Sequence, residues 1–316
     1  MKKIAISIGD INGIGLEIAL KSHKKISKLC KPIYFVDDEI LSAASELLKI
    51  EIPRGFKNKN IKKYLSKDLQ DSIKNKDSII NPAKITKESG EYSFISLKCA
   101  LDSVIKKQND ALLTLPIHKK AWNLADRNYV GHTDFLSHYF NDDGIMMLGC
   151  EKMFVALFSD HIPLSKVASK ISFKNLCNFF ERFYKSFQFE KALVLGLNPH
   201  AGDGGVLGNE DKIINKAIEY TNKKLNKNIF FGAISPDIAF SKENRKKYKV
   251  FIAMYHDQGL IPLKALYFEE SINITLGLPI LRSSVDHGVA FDIAYKNKAS
   301  TKSYLNALDF LINLRN

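Results

Sequence analysis

Short apolar runs rich in β-branched and aromatic residues alternate along this chain with longer segments in which apolar residues recur every three or four positions. The short runs predict strands at residues 3–8, 33–36, 111–115, 153–158, 192–197, 229–233, 250–254 and 274–276. The longer segments predict helices at residues 14–24, 90–107, 173–186, 212–225 and 301–314, the last three with the clearest spacing. Alternation of this kind predicts an α/β fold, with mostly parallel sheets wrapped by helices. Residues 57–84 are polar and irregular and read as a surface excursion. No internal repeat and no Gly/Ser linker interrupts the pattern, so any second domain must be built by the chain crossing over.

Polar residues follow the apolar runs directly at several places. Asp10, Pro116-Ile117-His118-Lys119, Asp160-His161, Asn198-Pro199-His200, Ser235-Pro236-Asp237 and His256-Asp257 all do so. One such residue is explained by a turn. Six of them imply polar groups gathered at the C-terminal ends of parallel strands, where ligands of α/β sheets bind. The stretch Ala253-Met254-Tyr255-His256-Asp257-Gln258-Gly259-Leu260-Ile261-Pro262-Leu263-Lys264 is the most informative. It reads as a buried strand, then His-Asp, then a Gly turn and a lone lysine.

The candidate chemistry follows from these strand ends. His161, His200 and His256 each follow a strand, and three imidazoles with one open position make a catalytic site for Zn²⁺ and similar ions. No short-range HExxH pair accompanies them, so the repeated context carries this reading. Asp160, Asp237 or Asp257 can orient the rings. The run Gly202-Asp203-Gly204-Gly205-Val206-Leu207-Gly208-Asn209-Glu210-Asp211 leads into a helix, but Glu210 and Asp211 at that terminus would repel a phosphate. A tight turn is the default there, as at Gly9-Asp10-Ile11-Asn12-Gly13-Ile14-Gly15. In Gly131-His132-Thr133, Thr133 is either a helix cap or, with His132, a donor to a substrate anion. Arg282 stands in an apolar stretch, so it needs an anionic partner, from the protein or from a ligand.

Composition narrows the class. The chain has 316 residues, 45% hydrophobic and 26% charged, ordinary for a globular protein of one large or two smaller domains. No run approaches the ~18 apolar residues of a spanning helix, and the first apolar run is too short for a signal peptide, so a cytoplasmic protein with no membrane role is expected. Cys30, Cys99, Cys150 and Cys177 form no CxxC and read as reduced, buried thiols. The net charge of +13 comes from Lys/Asn/Ile-rich runs such as residues 57–63. Aromatic interleaving and nucleic-acid motifs are missing, so no nucleic-acid partner is expected.

Four blocks occur in order: Gly131-His132-Thr133; Leu197-Asn198-Pro199-His200-Ala201-Gly202; Ala253-Met254-Tyr255-His256-Asp257-Gln258-Gly259; and residues 273–288. On these the chain resembles the 4-hydroxythreonine-4-phosphate dehydrogenase family of pyridoxal phosphate (vitamin B6) biosynthesis, from residue 6 to about residue 309. The resemblance implies two α/β/α domains of the isocitrate/isopropylmalate dehydrogenase type. They would be residues 1–128 with 296–316, and residues 129–295, the second carrying most metal and substrate residues. It implies a homodimer with active sites at the subunit interface. His161, His200 and His256 would bind one divalent ion (Zn, Mg or Co), with His256 reaching it from the partner subunit. His132, Thr133, Lys264, Asn273 and Arg282 would bind substrate, and His287 and Asp292 would touch NAD or NADP. The implied reaction is oxidation of 4-phosphooxy-L-threonine at C3, followed by decarboxylation. The general base stays open among Asp257, Lys264 and other groups. The family's opening pattern loses both its prolines here, at Gly9–Glu17; Asp160 stands where Thr or Ser precedes the histidine, and Ile238 where Thr is usual. A related dehydrogenase acting on another hydroxy acid, a metal-dependent hydrolase and a non-catalytic anion binder are the competing expectations.

Overall fold

The computed structural model describes residues 1–74 and 79–314. Among them are ten strands: β1 (Lys3–Ser7), β2 (Lys31–Phe35), β3 (Ala111–Thr114), β4 (Ile145–Cys150), β5 (Met153–Leu157), β6 (Ala192–Leu195), β7 (Phe230–Ile234), β8 (Val250–Ala253), β9 (Ile272–Leu276) and β10 (Arg282–Val285). The chain forms two compact units, Met1–Asp142 with Leu278–Asn316, and Asp143–Gly277. The resemblance places the divisions at residues 129 and 296 instead. The helix His132–Phe140 falls in the first unit because Phe135 packs edge-on against Phe94 and His132 against Trp122.

In the first unit β2, β1, β3 and β10 lie side by side and all pair in parallel. Ile4, Ile6, Leu112 and Leu113 are fully buried. The helix Lys87–Ile105 packs over them, held at its start by Thr86, whose hydroxyl accepts from Ser89 N. The hydropathy pattern does not mark β10. Its sequence, Arg-Ser-Ser-Val, has no apolar face, yet all four residues are buried. The two serine hydroxyls make this tolerable by donating to the carbonyls of Ala307 and Thr114.

In the second unit the order is β9, β4, β5, β8, β6, β7. β5, β8, β6 and β7 pair in parallel, while β4 runs antiparallel to both β9 and β5. The pattern does not mark β4 either. Its Met-Met-Leu-Gly run lacks β-branched residues, and only Glu151 and Lys152 separate it from β5. Met146, Leu148, Val155, Leu193, Phe251 and Leu263 join in one apolar cluster under the strands.

Two expectations need correction. Residues 57–84 are not wholly irregular: Lys67–Lys74 is a helix, and Ile61, Leu65, Leu69, Ile73, Ile79 and Ile80 are buried. Residues 75–78 of that stretch lie outside the described residues, as do 315–316 at the end of the expected first domain. The expected Gly turn after His256 is instead the first turns of a helix, His256–Tyr267, with Gly259 and Pro262 inside it. Gly259 is needed there for contact, since a Cβ would sit 2.5 Å from Val155 Cγ1 and 2.8 Å from Ala253 Cβ. The lack of a side chain lets the helix press directly onto β5 and β8. No described helix is long and apolar enough to cross a membrane.

Candidate active site

The three histidines all belong to the second unit, at the C-terminal ends of its parallel strands. β5 and β8 are neighbours with Leu157 paired to Ala253, so the segments leaving them start side by side. Ser159 secures this exit by donating its hydroxyl to Met254 O at 2.6 Å. As a result the His161 and His256 rings lie 5.6 Å apart between centroids, tilted by 40°, within one chain. His256 Nδ1 is 2.7 Å from Asp257 Oδ1, which leaves Nε2 as its outward nitrogen. A carboxylate behind an imidazole is the usual arrangement for a metal-binding histidine. The pair fits a divalent ion in donor chemistry.

His200 is positioned differently. It follows β6 in a tight turn, Pro199–Gly205, where His200, Ala201 and Asp203 all have left-handed φ values of 52°, 51° and 42°. Such a run is unfavourable for residues other than glycine and must be held from outside. Asp211 does this, accepting from Leu197 N, Asn198 N and Asn198 Nδ2 at 2.7, 3.2 and 2.8 Å. Glu210 also accepts from Asn198 Nδ2. The two carboxylates that would have repelled an anion thus hold the His200 turn. Asp237 is drawn below the ordinary carboxylate range, first by the Ser235 hydroxyl and to a lesser degree by His200. Among the described residues no group of three or more His, Cys, Asp or Glu is close enough together to hold a metal ion. The structure therefore gathers His161 with His256 and leaves His200 on its own turn.

Gln258 connects these two strand ends. Its Oε1 accepts from Met254 N and its Nε2 donates to Gly196 O, each at 2.7 Å. Asp257 and Lys264 are seven residues apart on the same helix. That spacing puts them on one face, about 10 Å apart along the axis. Lys264 Nζ lies 5.1 Å from the Phe268 ring centroid. Asn273 is on β9, and its Oδ1 is a buried acceptor without a hydrogen-bond partner among the described residues.

The first unit carries the other expected residues. Arg282 opens β10 and is only 2% exposed. Its Nη2 donates to Thr114 Oγ1 at 2.7 Å, from the end of the adjacent β3. Burial pulls the guanidinium down to about 9, so it stays charged at neutral pH. His132 begins a helix and has Nε2 sealed from solvent without a partner among the described residues. Burial, and then the Arg282 charge, hold this imidazole well below its usual range. It is therefore a neutral hydrogen-bonding group and not a cation. Thr133 lies within the first turn and does not cap it; the cap position is Gly131, and Asp134 Oδ2 accepts from Val130 N. Asp10 is fully buried, accepting from Asn12 N and the Ser89 hydroxyl, and burial raises its carboxyl to about 6. His287 and Asp292 belong to a loop after β10. His287 Nδ1 is 3.0 Å from Gly288 O, and a Cβ on Gly288 would meet nothing within 4 Å, so a ligand can approach the backbone there. Thr114, Asp211 and Gln258 are positioning groups that local sequence pattern does not announce.

Known proteins share this architecture and much of this sequence. Residues 28–311 match the model of the family described as pyridoxal phosphate biosynthetic protein PdxA. A 4-hydroxythreonine-4-phosphate dehydrogenase of Sulfurimonas denitrificans is 53% identical over 312 residues, covering 99% of this chain and 97% of that protein. One from Helicobacter pylori strain J99 is 49% identical, covering 98% of this chain and 99% of that protein. The crystal structure of a 4-hydroxythreonine-4-phosphate dehydrogenase from Klebsiella pneumoniae superposes with a TM-score of 0.79 at 27% identity, over 98% of this chain and 97% of that one. The chain belongs to the PdxA family of pyridoxal phosphate biosynthetic proteins, a family of dehydrogenases.

Proposed function

We propose that this chain oxidises 4-phosphooxy-L-threonine at C3 to 2-amino-3-oxo-4-phosphooxybutanoate, which then loses CO₂ to give 3-amino-2-oxopropyl phosphate for pyridoxine 5'-phosphate synthesis. The observation that carries the reading is the adjacent His161 and His256 pair, braced by Asp257, in a chain of this family. A divalent ion held by His161 and His256 would supply Lewis-acid polarisation of the C3 oxygen, and His200 would join as third donor only if its turn moved toward the pair.

The remaining work falls to the chain's own groups. Arg282, charged and fixed by Thr114, is suited to the phosphate or carboxylate of the substrate. His132, being neutral, gives or takes a single hydrogen bond, and Thr133 adds a hydroxyl at the same helix start. The buried Oδ1 of Asn273 can accept from the substrate ammonium or hydroxyl, which would satisfy it. Where Asp257 is the base, Lys264 keeps its proton and brings a second cation for the anionic groups. Asp257 or Lys264, on one helix face, takes the proton from the C3 hydroxyl as C3 gives up its hydride to NAD or NADP. His287 and Asp292 are the proposed contacts to that nucleotide. Decarboxylation follows because the new ketone receives the electron pair of the breaking C–C bond. The same reading makes the active form a cytoplasmic homodimer with shared sites.

The test is NADH formation with 4-phosphooxy-L-threonine, run with EDTA and then with Zn²⁺, Mg²⁺ or Co²⁺ restored. Absorbance should rise only with the phosphorylated substrate and a divalent ion. Equal turnover of isopropylmalate would move the chain to another hydroxy acid. Product formation without any nicotinamide would favour a hydrolase.

A further inference from the structure

A basic pocket lies at the opposite ends of the strands that lead to His161 and His256. Lys152 immediately precedes β5 and Lys249 immediately precedes β8. The strand lengths separate this pocket from the two imidazoles by roughly 15 Å. Its volume is about 550 Å³, and Lys152, Lys242, Arg245, Lys246 and Lys249 line it together with Tyr267 and Glu151. That size falls within the range of small-ligand sites.

The state of these cations separates the pocket from an ordinary lysine-rich surface. Lys152 is already paired, with Glu270 at 3.0 Å. Arg245 is half-buried; its Nε donates to Phe240 O at 2.9 Å and its Nη1 lies 3.5 Å from the Tyr267 hydroxyl. These contacts fix the plane of the guanidinium and leave Nη2 uncommitted among the described residues. Lys242, Lys246 and Lys249 form no side-chain hydrogen bond or ion pair among the described residues. Five cations thus surround one concavity, four of them without an ion-pair partner among the described residues, and Glu151 is the one carboxylate in its lining. Like charges held this close repel one another, and a multiply charged anion would remove that cost.

We propose that this pocket binds a small ligand carrying a di- or triphosphate group, at a site separate from the histidines. A planar guanidinium held at Nε and Nη1 presents Nη2 to a phosphate oxygen, and flexible lysines close over a second phosphate. One monophosphate would leave most of the positive charge unbalanced. This inference does not depend on the reaction proposed above.

Titration calorimetry on the full-length protein with inorganic tripolyphosphate, pyrophosphate and orthophosphate tests it. A saturable site should appear, separate from any phosphate contact at Arg282, with affinity rising from orthophosphate to tripolyphosphate and falling with added salt. The double variant Lys246→Gln/Lys249→Gln changes two exposed residues and is expected to fold. It should lose at least tenfold in tripolyphosphate affinity. His256→Ala should bind it as the unaltered protein does. No saturable binding would overturn the proposal. So would an equal loss in His256→Ala, which would put the anion at the histidines. An equal loss in Lys28→Gln/Lys216→Gln would also overturn it, because the binding would then follow overall charge.

Discussion

The two units present opposite environments at their strand ends. In the first, Arg282 is 2% exposed, Asp10 is fully buried and His132 has a sealed nitrogen. In the second, the His161 side chain is 58% exposed and that of Asp257 69%. Burial in the first unit moves the guanidinium, the carboxyl and the imidazole from their ordinary values, each toward its neutral form. These groups are pre-set before any ligand arrives. In the second unit the imidazoles have carboxylate neighbours and are open to solvent. One set tunes by desolvation, the other by orientation.

The largest expected effect tests the orientation half. His256→Ala should abolish dehydrogenation while leaving circular dichroism unchanged, because the side chain is not part of a core. Asp257→Asn should be milder, about ten- to a hundredfold in activity or metal affinity, the usual cost of losing a group behind a metal-binding histidine. If Asp257→Asn instead equals His256→Ala and stays inactive with excess metal, Asp257 acts on substrate as the general base. The desolvation half is tested by Arg282→Met. This variant should raise KM for the phosphorylated substrate on the order of a hundredfold, the size expected for a buried charge-assisted contact. KM for the nicotinamide should change little. Equal losses for both ligands would remove Arg282 from the substrate.

The comparison also explains what was legible in the sequence. Strands such as β8 and β6 could be read because continuous apolar runs mark strands buried on both faces. β10 could not, because its burial depends on serine partners that are far away in sequence: Ser284 to Thr114 spans 170 residues. The helix at His256 was hidden because Gly259 and Pro262, ordinarily helix breakers, occupy it; Gly259 is there for contact with β5 and β8. The histidines were visible because each repeats the same local context. Their supports were not: Gln258 reaches Gly196, 62 residues away, and the Arg282 bond to Thr114 spans 168. Local pattern marks the candidate groups, while the groups that hold them in place are fixed by tertiary contacts.

The smallest expected effect isolates desolvation without touching the proposed chemistry. Burial raises Asp10 from 3.8 to about 6, against the opposing bonds from Asn12 N and the Ser89 hydroxyl. A carboxyl with a raised folded-state pKa binds its proton more tightly folded than unfolded. Its favourable contribution is therefore complete below pH 3.8 and is lost as pH rises through about 6. At pH 8 the buried charge should cost up to about 3 kcal/mol, since each tenfold change in proton affinity is worth about 1.4 kcal/mol. Asp10→Asn removes the charge but keeps an acceptor for Asn12 N, and the Ser89 hydroxyl can rotate to accept from the new amide. The variant should melt a few degrees higher than the unaltered protein at pH 8, with the gap closing toward pH 4. A gap that stays constant across this range would mean that the carboxyl does not titrate there, and that burial sets the first unit's strand end less strongly than the comparison requires.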